Sequence, residues 1–274
     1  MERALRTEFI ARYLKLEVAL NRPPTFHTHF VLALFFPVRT DPDSSRVLSM
    51  CNLYSQTKSQ NAMRRVFVEE VLEDEIEDLT GNLPSQPGIY PDYSAPILRH
   101  GVSGGWQLAK ARWGMPTPAK FLEGKRTDKG VTNIRNAGSP HWRRWLGVEH
   151  RCLVPFTSFS EIDSRPEAPR NSPVWFAFGE ERPLAFFAGI RTEWTSVCKL
   201  KEGEVTAELF GFLTCPPNAE LGAVHPKAMP VILTEPEECR RWLTAPPEDA
   251  LKLQRPLPDG RLQIVAEGTR EDAA

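Results

Sequence analysis

Five polar side chains stand where chemistry could be done. Cys51 follows Met50 where the texture of the chain changes. Asn133 and Arg135 lie in VTNIRNAGSP, Glu161 closes RCLVPFTSFSE, and His225 stands in AVHPKAMPVIL just before an apolar run. A thiol, a histidine, a carboxylate and an orienting amide together suit nucleophilic chemistry with proton transfer. Each also has a plain structural reading: a small buried hydrophobe for the cysteine, a solvated glutamate after a strand, a turn histidine before proline. Spacing alone does not separate the two.

The elements that must position these groups read as short strands and turns. Ser59 to Phe67 carries good helix formers, and the acidic run Val68 to Leu79 reads as a solvated helix face or an acidic loop ended by Gly81 and Pro84. The proline-rich stretch 82–98 excludes helix and reads as an extended, aromatic-lined loop. Ser139-Pro140 starts a short helix, as an N-cap followed by proline at the first helical position. Strands are expected at Val174–Phe178, Leu184–Ile190, Val205–Leu213, Pro230–Leu233 and Leu262–Val265. Further helices should run from Thr234-Glu235-Pro236 through Trp242 and from Pro247 through Leu253. The expected fold class is α+β: one domain over residues 50–267, with a mostly antiparallel, barrel-like twisted sheet flanked by short helices. Residues 1–49 form an N-terminal extension and 268–274 a tail.

The words around the polar residues resemble the SOS response-associated peptidase family, the SRAP domain, whose members shield abasic sites in single-stranded DNA. They are MCNLY from Met50, RWGMP from Arg112, TNIRN from Thr132, RCLVPFTSFSE from Arg151, FFAGI from Phe186 and HPKAMPVIL from His225. The resemblance implies that Cys51 is the nucleophile and the N-terminal residue of the working chain. An abasic sugar opens to an aldehyde, an α-amine attacks it to give a Schiff base, and the cysteine thiol closes a five-membered thiazolidine. It further implies that Asn133 orients the ring, that Glu161 moves the proton of the amine, and that His225 helps open the sugar and reverse the link. Arg135 resembles a phosphate contact and Trp113 a platform for an exposed base. Lys227 stands in for an arginine of the family's histidine phrase, and Arg143, with His141 and Arg144, could extend a basic groove. The implied partner is single-stranded DNA containing abasic sites.

Three positions depart from the family's commonest pattern. Leu53 replaces an arginine two residues after the cysteine, Ile162 replaces a tryptophan after the glutamate, and the phrase from His225 to Pro230 is one residue longer. Residues Met1 to Ser49 pose a larger difficulty, because an internal Cys51 has no free amine. Either translation starts at Met50 and that methionine is trimmed, or the segment is removed by proteolysis, for which attack of the Cys51 thiol on the preceding carbonyl is one route.

Composition sets the outer limits. Of 274 residues, 41% are hydrophobic and 25% charged, enough apolar material for a core. With 34 Lys and Arg against 35 Asp and Glu, the chain does not coat nucleic acid by bulk charge, so contact needs a local basic groove. Prolines number 25, about 9% against a usual ~5%, which points to many irregular connections. Five cysteines without a C-x-x-C pair point to reduced thiols and a cytoplasmic protein. The apolar run Phe30 to Val38 is too short for a membrane helix. His27 and His29 lack further ligands nearby, and neither a metal nor an organic cofactor is implied. The competing functions are a thiol peptidase, acting on its own N-terminus or on other proteins, and a non-covalent single-strand binder.

Overall fold

In the computed structural model, which describes residues 52–102 and 104–274, strand pairing closes a barrel. Its staves are β4 (Ser94–His100), β5 (Trp106–Trp113), β7 (Arg151–Phe156), β10 (Ala185–Ser196) and β11 (Val205–Cys215). The order β11-β10-β7-β4-β5 is antiparallel at each step, and a parallel pairing of β5 with β11, Leu209 opposite Arg112 and Phe210 opposite Trp113, shuts the ring. Shorter strands extend the sheet. They are β2 (Ile76–Asp78), β6 (Asn133–Ile134), β12 (Met229–Pro230) and β13 (Ile232–Leu233). A second sheet has the order β14-β9-β8-β1-β3, from β1 (Leu53–Gln56), β3 (Gln86–Ile89), β8 (Ser158–Ile162), β9 (Pro173–Ala177) and β14 (Gln263–Glu267). The chain passes from barrel to second sheet between β7 and β8, at Thr157, whose backbone N–H donates to the Ser55 carbonyl at 2.8 Å. The expected α+β class with a mostly antiparallel, barrel-like sheet is the observed one.

An aromatic cluster joins the two sheets. Tyr54, on β1, sets its ring 5.0 Å from Trp113, 5.7 Å from Phe187 and 6.2 Å from Phe212, all edge-on. Phe187 stacks on Phe156 at 3.9 Å, and Trp113 on Phe212 at 5.2 Å. Such rings bring large buried area plus a preference for offset and edge contacts. They fix how β1 lies across the end of the barrel.

Several elements differ from expectation. Ser59 does cap a helix, α1 (Gln60–Arg65), its Oγ accepting from the Ala62 amide at 3.2 Å. The acidic run that follows is neither one helix face nor one loop. Val66–Leu72 winds on as a π-helix burying Phe67 and Val71, and Ile76–Asp78 is a strand beside β5. The proline-rich stretch is not a single loop, since β3 and the start of β4 lie inside it. Pro96 is tolerated because β4 pairs with β7 only at Leu98 and Arg99, leaving no ladder on that side for Pro96 to break. The helices predicted after Ser139, at Pro236 and at Pro247 are present as α2 (Pro140–Arg143), α4 (Pro236–Thr244) and α5 (Pro247–Ala250), with α3 (Ala219–Val224) between them in the chain. Arg151 is fully buried and donates to the Ala245 carbonyl, capping the C-terminal end of α4.

The segment past Glu267, expected as a tail, is stitched to the second sheet. The Asp272 carboxylate takes Arg182 Nε at 2.9 Å and Ser158 Oγ at 2.6 Å, and its main chain binds Pro87 and Ser55. Burial pushes this carboxyl up, but Arg182 and Ser158 outweigh it and hold it below its ordinary value. Removing one partner strands a buried charge. Asp272→Ala should therefore lower the unfolding free energy by about 3–5 kcal/mol in urea titration. A change below about 0.5 kcal/mol would mean the segment is not anchored this way.

Among the described residues no helix is long and apolar enough to cross a membrane. The H-x-H pair, the apolar run from Phe30 and the extension 1–49 lie outside the described residues.

Candidate functional site

Strand register brings the candidate carboxylate beside the start of the described chain. In the β1–β8 ladder Leu53 faces Ser160 and Tyr54 faces Phe159. Side chains alternate along a strand, so the face that buries Tyr54 and Phe159 carries Asn52 and Glu161 one repeat further along. Glu161 is 2% exposed. Cys51, the neighbour of Asn52, lies outside the described residues.

His225 reaches the same place from α3. Asn218 caps that helix, its side chain accepting from the Leu221 amide at 3.2 Å. The helix end is pinned to the residues after β8, with the Ser164 amide donating to the Val224 carbonyl at 3.0 Å. His225, buried, then sets Nδ1 3.2 Å from the Ile162 carbonyl and Nε2 3.7 Å from Glu161 Oε2. A carbonyl only accepts, so Nδ1 carries the proton in that contact and Nε2 faces the carboxylate with its lone pair. Burial pushes the His225 pKa down, Lys227 adds to this, and the Ile162 carbonyl opposes it. Burial thus favours the uncharged imidazole, the form a proton acceptor needs.

Asn133 enters through β6, which pairs with Phe212 and Leu213 of β11. Its Nδ2 donates to Thr132 Oγ1 at 3.0 Å, and that hydroxyl donates to Asn52 Oδ1 at 2.9 Å. Amide, hydroxyl and amide thus fix Asn52 in place. The sequence offered no signal for Thr132 or Asn52 beyond their position beside Asn133 and Cys51. Arg135 and Lys227 are exposed and adjoin each other, the Arg135 guanidinium donating to the Lys227 carbonyl. Arg143 is exposed on α2, while Arg144 lies over the Trp145 ring at 4.0 Å.

Trp113 is a correction. It is 0% exposed, stacked on Phe210 and Phe212, with its indole N–H on the Thr132 carbonyl at 3.3 Å. No face is left for a base, so its part is to hold the barrel closed at the β5–β11 seam. Trp113→Ala should cost about 3–5 kcal/mol of unfolding free energy. A stacking platform would instead leave stability intact and weaken DNA binding alone.

Glu161 lines a groove of about 860 Å³ together with Asn52, Leu53, Ser160, Tyr90, Arg170 and Arg270. Among the described residues no group of three or more His, Cys, Asp or Glu side chains is placed to hold a metal ion.

The family model described as SOS response associated peptidase (SRAP) matches residues 50–268. The chain belongs to the SRAP family. Membership ties it to the SOS response to DNA damage, with an abasic-site-related role and association with DNA. Solved structures share the SRAP fold. A Bordetella bronchiseptica protein is 22% identical at a TM-score of 0.58, covering 80% of this chain and 98% of its own. A Bacteroides thetaiotaomicron protein is 20% identical at 0.57, covering 78% and 90%. A phage-related protein of Bordetella bronchiseptica is 21% identical at 0.54, covering 78% and 92%. No curated protein matches the chain.

Proposed function

We propose that this SRAP protein captures abasic sites in single-stranded DNA as a covalent, reversible thiazolidine on Cys51, acting in the cytoplasm through residues 50–267. The observation that carries the reading is the buried Glu161–His225 couple, whose facing atoms stand 3.7 Å apart beside Asn52. A carboxylate and a neutral imidazole aimed at one point suit an ammonium that must lose a proton before it can attack. An α-amine has a pKa of about 7.7–8.0, so a modest pull suffices near neutrality.

Glu161 accepts a proton from the Cys51 ammonium, and the freed nitrogen adds to the C1′ aldehyde. The carbinolamine hydroxyl leaves as water with a proton returned by Glu161, giving the protonated imine. The thiol then adds across C=N: sulfur bonds to carbon, the C=N electron pair moves to nitrogen, and the thiol proton is released to solvent. Protein and DNA are joined with the net loss of one water. His225 serves the opening of the sugar and its reverse, Asn133 orients the ring, and Arg135, Lys227 and Arg143 supply positive charge to the strand.

Residues 1–50 must be absent from the working form, by a start at Met50 followed by trimming of that methionine, or by removal of the whole segment, including self-cleavage by the Cys51 thiol. The test is an oligonucleotide bearing one abasic site, incubated with the chain and run on a denaturing gel. A shifted band that persists through heating and is lost in Cys51→Ala is expected. An unchanged band in that variant would end the proposal.

A further inference from the structure

The groove beside Glu161 is built from parts that the catalytic constellation does not use. The loop between β8 and β9 and the segment after β14 both line it, contributing Arg170 and Arg270. Both arginines are exposed. They contrast with Arg165 of the same loop, which is taken up by Asp163 at 2.5 Å and Glu267 at 3.0 Å. Among the described residues neither Arg170 nor Arg270 has a carboxylate partner. This lining is nonetheless fixed. Tyr90 donates its hydroxyl to the Arg270 carbonyl at 2.7 Å, Trp175 donates to the Thr269 carbonyl at 2.8 Å, and Asp272 is buried two residues further on. Asn171 holds a left-handed conformation at φ 57°, turning the chain immediately after Arg170.

Two guanidinium groups without a carboxylate partner, lining one groove with Glu161, call for a polyanion running through it. A chain of net charge −1 attracts DNA only where positive charge is gathered locally. We propose that Arg170 and Arg270 bind backbone phosphates of the single strand on one side of the abasic site, so that the groove from Arg270 to Glu161 is the path of the flanking strand. Leu53 lines the same groove and brings no charge to it.

This inference rests on the cross-linking reading, and the two can fail separately. The purified chain, its N-terminus read by intact mass, is titrated with an intact single strand at several salt concentrations and incubated separately with an abasic strand. Arg170→Gln and Arg270→Gln are compared with it after thermal melting has shown all to be folded. If each arginine holds a phosphate, each substitution reduces the slope of log K against log salt by ~0.7. Wild-type cross-linking with unchanged slopes in both variants overturns the groove assignment and leaves the cross-link standing. A wild-type chain beginning at Cys51 that forms no adduct overturns the cross-linking reading and this one with it.

Discussion

A chain with one residue left in front of Cys51 should form no heat-stable adduct with abasic DNA, whatever its thiol does. The nitrogen of an internal cysteine is an amide, whose lone pair is delocalised into the carbonyl, so it cannot form an imine. The thiol can still add to the aldehyde, but the resulting hemithioacetal reverts when the site is denatured. The expected effect is loss of the adduct to background, the largest single effect the account contains. Thiol peptidase activity needs only the side chain and should survive the same extension. A heat-stable adduct on a chain retaining Met50 would therefore place the covalent chemistry elsewhere.

Glu161→Gln should slow adduct formation by ~10²–10⁴-fold, the usual contribution of a positioned acid–base group. The amide is nearly isosteric with the carboxylate but neither accepts the ammonium proton nor returns it to the leaving hydroxyl. Single-turnover rates against pH are the informative measurement. A residue that merely packs would change stability and leave the rate alone.

His225 adds a pH effect of definite sign. In the unfolded chain its imidazole takes a proton near pH 6.5, whereas burial holds the folded value lower. Between those two values the unfolded state binds more protons, so stability falls as pH drops from about 6.5 through the folded value, then levels off. His100, also lowered by burial, acts in the same direction. His225→Gln should shrink the slope in that window without abolishing it.

Much of this was readable because local signals and packing agree. RCLVPFTSFSE is buried throughout β7 and up to Glu161 in β8, and the Ser139-Pro140 and Glu235-Pro236 starts both put proline at the first helical position, where its missing N–H costs nothing, although neither preceding side chain makes a capping hydrogen bond. Glu161 and His225 were named from their surrounding words, and their meeting depends on the end of β8 docking against the end of α3. Closure of the barrel was not readable. The β5–β11 pairing joins distant strands in parallel, and no local pattern records such a partner. Trp113 was misread because an aromatic beside an arginine has the same local sequence in a core as on a binding face; only the packing of Tyr54, Phe210 and Phe212 decides. Arg170 and Arg270 escaped notice because the groove is lined by a loop and a C-terminal segment together.

The most direct test is the intact mass of the purified chain before and after exposure to a single strand carrying one abasic site. The account predicts a chain beginning at Cys51 that gains the mass of the oligonucleotide less one water, as imine formation and ring closure require. A chain beginning at Cys51 that gains nothing, or an identical gain in Cys51→Ala, would contradict it.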